Sequence, residues 1–218
     1  MNKRIISPSL LSADFSNLKE QIEVVTNPGA SRLHLDVMDG HFVPNFTFGP
    51  FIVQAIRKLT SAHLETHLMI DEPHKYIKDF ISAGSDTLIF HYEASTDIDR
   101  DIETIRNANI CTGIAINPDT DESNIFEYLD RLDYVLIMSV NPGFGGQGFI
   151  ESSLDKMKSL AKLKLEYNFV IGVDGGVNMS TIDKLYDTGV DITIVGSGLY
   201  KANNIKQRYQ ELMYGKNN

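Results

Sequence analysis

Short runs of β-branched and other apolar residues alternate along the chain with amphipathic segments of helical period. The apolar runs predict eight strands, at residues 5–9, 32–38, 64–69, 86–91, 110–116, 133–139, 168–173 and 191–195. Between and after them, apolar residues spaced three or four apart predict eight helices, the first with Phe15, Leu18, Ile22 and Val25 on one face. Strands that alternate with helices are typical of a parallel sheet built from βα units. Because the strand count is eight, we predict a (β/α)8 TIM barrel forming a single domain over residues 1–218, and we disfavour a doubly wound open sheet.

Composition narrows the class of partner. The net charge of −9 argues against a nucleic acid or an anionic membrane surface as partner. We find no apolar stretch near the ~20 residues of a membrane span and no apolar core of a signal peptide near the N-terminus. The single cysteine, Cys111, fits a reducing compartment. We therefore expect a cytoplasmic protein that acts on a small molecule.

Polar side chains recur at the C-terminal ends of the predicted strands, where barrel enzymes build their active sites. His34 and Asp36 are two residues apart on one strand, so they point to the same face. His67 ends the next strand and Asp174 follows the seventh. Each of the four could be a hydrogen-bonded interior residue, but the set predicts one divalent metal ion per chain, Zn²⁺, Fe²⁺, Mn²⁺ or Co²⁺. His91 ends the fourth strand and could equally contact a substrate or have a structural role.

Glycine-rich segments follow the last three strands, at residues 141–148, 174–176 and 196–198. Glycine allows backbone N–H groups to approach an anion closely. The second and third segments stand where barrels commonly bind phosphate. None of the three contains Lys or Arg. We therefore predict that a phosphate group is held mainly by neutral backbone N–H groups, which an acidic protein would need.

Five segments closely resemble the ribulose-phosphate 3-epimerase family. They read SPSLLSADF at residues 7–15, HLDVMDGHFVPN at 34–45, HLM at 67–69, MSVNPGFGGQ at 138–147 and VDGGV at 173–177. The resemblance covers nearly the whole chain and its long motifs are specific. Two positions depart from it, since the family usually has Asp where Glu65 stands and Glu where Gly172 stands.

The resemblance implies a role for each matching residue. His34, Asp36, His67 and Asp174 would bind the metal, and Asp36 and Asp174 would also be the acid–base pair. The implied contacts to substrate are Ser9, His67, Gly143, Phe144, Gly145, Gly146, Asp174, Gly175, Gly176, Gly196 and Ser197. Met38, Met69 and Met138 would form a thioether collar near the reacting carbon, although the pattern alone indicates only inward packing.

The implied reaction is epimerisation at C3 of D-ribulose 5-phosphate to D-xylulose 5-phosphate, in the pentose phosphate pathway. Asp36 would accept a proton and Asp174 would donate one, through an enediolate stabilised by the metal, with Zn²⁺ expected first. Closure of the segment 141–148 would exclude water, and the chain would assemble as a homo-oligomer, a dimer or a hexamer. A D-allulose 6-phosphate 3-epimerase and a non-catalytic phosphosugar-binding barrel are the alternatives. Related metal-free decarboxylases carry a lysine where Met38 stands, so we discount them.

Overall fold

Eight parallel strands with helical segments between them make up the structure, a computed structural model that describes residues 4–215. The strands are β1 (Ile5–Pro8), β2 (Arg32–Met38), β3 (His63–Met69), β4 (Thr87–His91), β5 (Cys111–Ile116), β6 (Tyr134–Met138), β7 (Val170–Asp174) and β8 (Ile192–Val195). The α-helices are α1 (Leu18–Thr26), α2 (Pro50–Leu59), α3 (Ile77–Ser82), α4 (Ile98–Arg106), α5 (Ser153–Leu163), α6 (Ile182–Tyr186), α7 (Ser197–Tyr200) and α8 (Ile205–Tyr214). Short 3-10 helices lie at Leu10–Ser12, Phe15–Asn17, Pro73–Lys75 and Tyr92–Ala94, and a longer one at Glu122–Arg131.

The strands follow one another around a barrel. Their order is β1-β8-β7-β6-β5-β4-β3-β2, and every neighbouring pair is parallel. A parallel bridge between Ser9 and His34 joins the end of β1 to β2 and closes the ring. The predicted TIM barrel is therefore confirmed, and the carboxyl ends of all eight strands meet at one rim. Of the predicted single domain 1–218, residues 1–3 and 216–218 lie outside the described residues.

The period of two along β2 separates the two sides of the barrel wall. Leu33, Leu35 and Val37 belong to the buried apolar layer that packs against the helices. His34 and Asp36 alternate with them and are buried on the axial side. One strand thus supplies both the core and the candidate chemistry. No helix within residues 4–215 is long and apolar enough to cross a membrane.

Some local predictions were wrong. Most strand ends differ by one or two residues, and the helical pattern after β5 is the 3-10 helix Glu122–Arg131. We predicted that Phe15 lies on the buried face of the first helix. It instead precedes α1 in a 3-10 turn, where the side chain of Asp14 accepts a hydrogen bond from the N–H of Ser16. This turn leaves Phe15 43% exposed.

Candidate active site

Four polar side chains converge at the carboxyl end of the barrel, from β2, β3 and β7. Asp36 Oδ1 lies 3.3 Å from His34 Nε2 and 3.2 Å from His67 Nδ1. The two ring nitrogens are 3.4 Å apart, and His67 Nδ1 is 4.0 Å from Asp174 Oδ2. One ligand atom from each of the four residues lies within 4.8 Å of all the others. The structure therefore brings together the whole set predicted to bind a metal.

The donor set fits a divalent transition metal. Two imidazoles and two carboxylates are ligands that such ions accept. With metal–ligand distances of about 2.0–2.2 Å, the donor atoms of a tetrahedral site stand roughly 3.3–3.6 Å apart. The separations of 3.2, 3.3 and 3.4 Å among Asp36, His34 and His67 match that spacing. Asp174, at 4.0 Å from His67, would need only a small movement.

Neighbouring strands hold the carboxylate of Asp36. The hydroxyl of Ser9, at the end of β1, donates to Asp36 Oδ2 at 2.6 Å. Thr47 donates to the backbone carbonyl of Asp36 and accepts from the N–H of Met38, which fixes the end of β2. At β7, Ser139 donates its hydroxyl to the backbone carbonyls of Asp174 and Gly175. Both candidate acid–base residues are thus positioned by hydroxyl groups from adjacent segments.

The surroundings of Asp36 and Asp174 shift the pKa values of the two carboxyl groups in opposite directions. Burial favours a raised pKa for Asp36, but the charge and hydrogen bond of His34 outweigh it and lower the pKa well below its ordinary value. Burial raises the pKa of Asp174, and the negative charge of Asp36 raises it further. The cluster therefore favours an ionised Asp36 beside an Asp174 whose pKa, raised to about 7, lets it hold or release a proton near neutral pH. Two carboxyls in different protonation states are what an acid–base pair requires.

A cavity of about 390 Å³ opens above the cluster. Ser9, Asp36 and Asp174 form part of its wall, and His34 and His67 lie fully buried behind it. The structure places around it the remaining predicted residues, namely Met38, Met69, Met138, Gly143, Phe144, Gly145, Gly146, Gly175, Gly176, Gly196 and Ser197. Phe144 stands at the rim and is 53% exposed.

Close packing explains two of the glycines that line this cavity. Gly176 has φ of +63°, and a Cβ there would lie 2.7 Å from the backbone of Phe149. A Cβ on Gly196 would lie 2.8 Å from the hydroxyl of Ser12. Larger residues at these two positions would therefore require neighbouring backbone or side-chain atoms to move.

The sequence analysis missed one basic side chain. Lys201 follows α7 directly and lines the cavity. Its Nζ lies 3.9 Å from the position of a Cβ on Gly146, next to the hydroxyl of Ser197. Among the described residues it forms no ion pair. The glycine segments indeed lack cations, but the four-residue helix α7 brings Lys201 back to their rim.

The two departures from the family pattern, Gly172 and Glu65, each have a packing context in the structure. A side chain at Gly172 would collide with the phenol of Tyr134, so the tyrosine occupies the volume that the usual glutamate would need. Glu65, fully buried, pairs with Arg32, accepts from Ser7 Oγ at 2.6 Å and lies 3.5 Å from His34 Nδ1. Both departures are therefore in the barrel interior beneath the cluster, outside the cavity lining.

Comparison with known proteins agrees with the motifs. The profile of the Ribulose-phosphate 3 epimerase family matches residues 5–200. A protein of Bacillus subtilis (strain 168) named ribulose-phosphate 3-epimerase is 43% identical over 95% of this chain and 97% of its own. The protein of that name from Escherichia coli (strain K12) is 38% identical over 97% and 96%.

Solved structures share the fold at low identity. The 3-hexulose-6-phosphate synthase from Salmonella typhimurium superposes with a TM-score of 0.72 at 16% identity, over 96% of each chain. KGPDC from Streptococcus mutans gives a TM-score of 0.70 at 18% identity, over 97% of this chain and 96% of its own. These structures support the barrel alone. The profile and the full-length relatives together show that the chain belongs to the ribulose-phosphate 3-epimerase family.

Proposed function

We propose that this protein epimerises D-ribulose 5-phosphate and D-xylulose 5-phosphate at C3, using Asp36 and Asp174 as its two acid–base residues. The observation that carries the proposal is the pair itself. Asp36 comes from β2 and Asp174 from β7, both reach the wall of one cavity, and their surroundings favour opposite protonation states. Inversion at a carbon next to a carbonyl by a two-base route uses such a pair, with one group on each face.

Each group has a defined task. Asp36, ionised, removes the C3 proton from one face of the ketose, and Asp174, once it has taken up a proton from solvent, returns that proton to the other face. The roles exchange in the reverse direction. A divalent metal held by His34, Asp36, His67 and Asp174, Zn²⁺ first among the candidates, supplies Lewis-acid stabilisation for the negative charge that develops on the sugar oxygens. The hydroxyl of Ser9, through its bond to Asp36, keeps that carboxylate aimed at the substrate.

The phosphate would occupy the opposite end of the cavity. Gly176, Gly196, Ser197 and Lys201 line the cavity. We assign the backbone N–H groups of the first three as contacts to the phosphate, and Lys201 as an additional cationic contact. The segment 141–148 covers this end. Its Gly143 carbonyl accepts a hydrogen bond from Asn45 Nδ2 at 2.6 Å, which ties the segment to the loop after β2. We propose that this segment excludes water during turnover.

The five-carbon substrate follows from the family motifs and from the names of the relatives. D-allulose 6-phosphate is the second candidate, since the same two carboxyls would serve it. The pathway, the cytoplasmic location and a homo-oligomer of two or six chains stay predictions of the resemblance. We propose neither a nucleic acid nor a membrane as a partner of this protein.

A coupled assay with both ketose phosphates tests the proposal. We expect a higher kcat/KM for D-ribulose 5-phosphate, and at least a ~10²-fold lower kcat for Asp36→Asn and for Asp174→Asn. Metal content must be measured in each variant, because both residues are candidate ligands. Asp119→Asn, an exposed carboxyl with the same charge change, is the matched control. Turnover of neither sugar would favour the non-catalytic barrel, and a preference for D-allulose 6-phosphate would favour the second candidate.

A further inference from the structure

A line of buried polar side chains continues from His67 away from the cavity. His67 Nε2 lies 2.9 Å from His91 Nε2, and His91 Nδ1 lies 3.1 Å from Glu93 Oε2. Both imidazoles are fully buried, and their rings stack at 5.0 Å between centroids. The ring of Phe42 covers the outer side of His91 at 4.7 Å. The mechanism above uses neither His91 nor Glu93.

Glu93 can only accept hydrogen bonds in this line of side chains, because its carboxyl group is ionised. Burial favours a raised pKa, but the hydrogen bonds from His91, from the hydroxyl of Thr120 and from the N–H of Asn117 outweigh it and lower the pKa of Glu93 to about 2. Its Oε1 also accepts from the backbone N–H of Asn117 at 2.7 Å and from Thr120 Oγ1. An ionised carboxylate only accepts hydrogen bonds. His91 Nδ1 must therefore carry the proton in the contact with Glu93.

The position of the proton on His91 determines which nitrogen of His67 carries a proton. In a neutral imidazole one nitrogen donates and the other accepts. If His91 donates from Nδ1, its Nε2 accepts, and His67 must donate from its own Nε2. His67 Nδ1 is then left with its lone pair, and Nδ1 is the atom that faces Asp36 and His34. A metal can be bound only by that unprotonated nitrogen.

We propose that Glu93 and His91 are positioning residues that fix His67 in the tautomer protonated at Nε2. In this tautomer the unprotonated Nδ1 faces the proposed metal centre. The inference rests on the proposed metal site. It has a parallel at the other imidazole, since Glu65 Oε2 lies behind His34 Nδ1 and leaves His34 Nε2 toward the cluster. Each metal-side imidazole thus has a carboxylate behind it, directly for His34 and through His91 for His67. Such partners orient a ligand and raise its basicity.

The substitution Glu93→Gln should reverse the direction of the hydrogen bonds from residue 93 through His91 to His67, because a glutamine side chain has the same shape but can donate. The amide oxygen keeps the bonds from Asn117 and Thr120, and the amide N–H₂ then donates to His91 Nδ1. His91 must donate from Nε2 to His67 Nε2, which places the His67 proton on Nδ1. Zinc binding then requires the whole line to reverse again. We expect a ~10–100-fold loss of Zn²⁺ affinity, as is typical for a lost partner behind a ligand.

Two measurements test this on the full chain. Competition with a chromophoric chelator gives the Zn²⁺ affinity of the wild type, Glu93→Gln, Thr120→Val and Glu103→Gln. Glu103 is exposed on α4 and controls for charge, and Thr120→Val removes a bond to Glu93 but keeps the carboxylate. Nitrogen-15 spectra of the histidines in the metal-free wild type report which ring nitrogen of each imidazole carries a proton before Zn²⁺ can fix the tautomer itself.

The outcomes separate the two proposals. We expect the loss of affinity in Glu93→Gln alone, and a His67 ring in the wild type protonated at Nε2. Unchanged affinity in a folded Glu93→Gln, or a wild-type His67 protonated at Nδ1, would overturn the positioning role. The wild-type spectrum decides the matter even if Glu93→Gln fails to fold. A wild type that binds no Zn²⁺ would refute the metal site itself, and the positioning role with it.

Discussion

Metal binding to the four-residue cluster should release about two protons near pH 6. In the metal-free protein, burial favours neutral His34, but the charge and hydrogen bond of Asp36 and the hydrogen bond of Glu65 outweigh it and raise the pKa of His34 to about 10. Asp174 also carries a proton, because burial and the charge of Asp36 raise its pKa above the usual acidic range. A metal ligand must be a neutral imidazole or an ionised carboxylate, so both protons have to leave.

The magnitude follows from that count. With one proton displaced from His34 and one from Asp174, the apparent affinity should rise by about 100-fold per pH unit on the acidic side of neutrality, about 2.7 kcal/mol per unit. The sign is fixed, because protons compete with the metal for the same lone pairs. Above the range in which Asp174 titrates, only the His34 proton is displaced. The dependence should then fall to about 10-fold per unit until the pKa of His34 is passed.

Calorimetric titration of Zn²⁺ into chelator-treated protein measures the proton count directly. Runs at one pH in buffers of different ionisation enthalpy give the number of protons transferred per metal bound. Asp174→Asn is the informative variant, since it should lower the count from about two to about one near pH 6. A wild type that binds metal near pH 6 with no proton release would refute the charge states assigned to the cluster.

Three substitutions test other parts of the structure. Gly176→Ala should lower the free energy of unfolding by about 1–2 kcal/mol, because φ is +63° and the added Cβ would meet the backbone of Phe149. The same variant should raise KM, and an unchanged KM would place the phosphate elsewhere. Lys201→Met should raise KM about tenfold with kcat unchanged, whereas Lys201→Arg should retain most of the affinity; equal KM in both would remove Lys201 from the site. Tyr134→Phe should raise the free energy of unfolding by about 1 kcal/mol in chemical denaturation, because the buried hydroxyl has no hydrogen-bond partner among the described residues; a lower value would show that the hydroxyl is satisfied.

The barrel and its inner face could be predicted from local pattern. The alternation of Leu33, His34, Leu35 and Asp36 assigns each side chain to one side of the wall, because the period of a strand is two. The motif residues at the ends of the strands then meet because parallel strands end at a common rim. These features depend on spacing within a single strand and on the order of strands, and both are visible in the sequence.

Features that depend on contacts between distant loops could not be predicted this way. Lys201 reaches the cavity because α7 lasts only four residues and then turns, which no periodicity indicates. The sequence left open whether His91 contacts substrate or has a structural role, because its partner Glu93 lies beyond the strand, in a 3-10 turn, and is held by the loop after β5. Phe15 was placed on a helix face because an apolar spacing does not reveal the turn that Asp14 caps.

Epimerisation in deuterated water tests the two-aspartate account most directly. Proton NMR of D-ribulose 5-phosphate with the metal-loaded protein follows the hydrogen at C3 in substrate and product. Asp36 and Asp174 come from separate strands, so in this account the proton removed and the proton delivered belong to different groups. Early D-xylulose 5-phosphate should therefore carry deuterium at C3 while the remaining substrate stays largely protiated. Early product that retains the substrate's own C3 hydrogen would point to a single base and contradict the account.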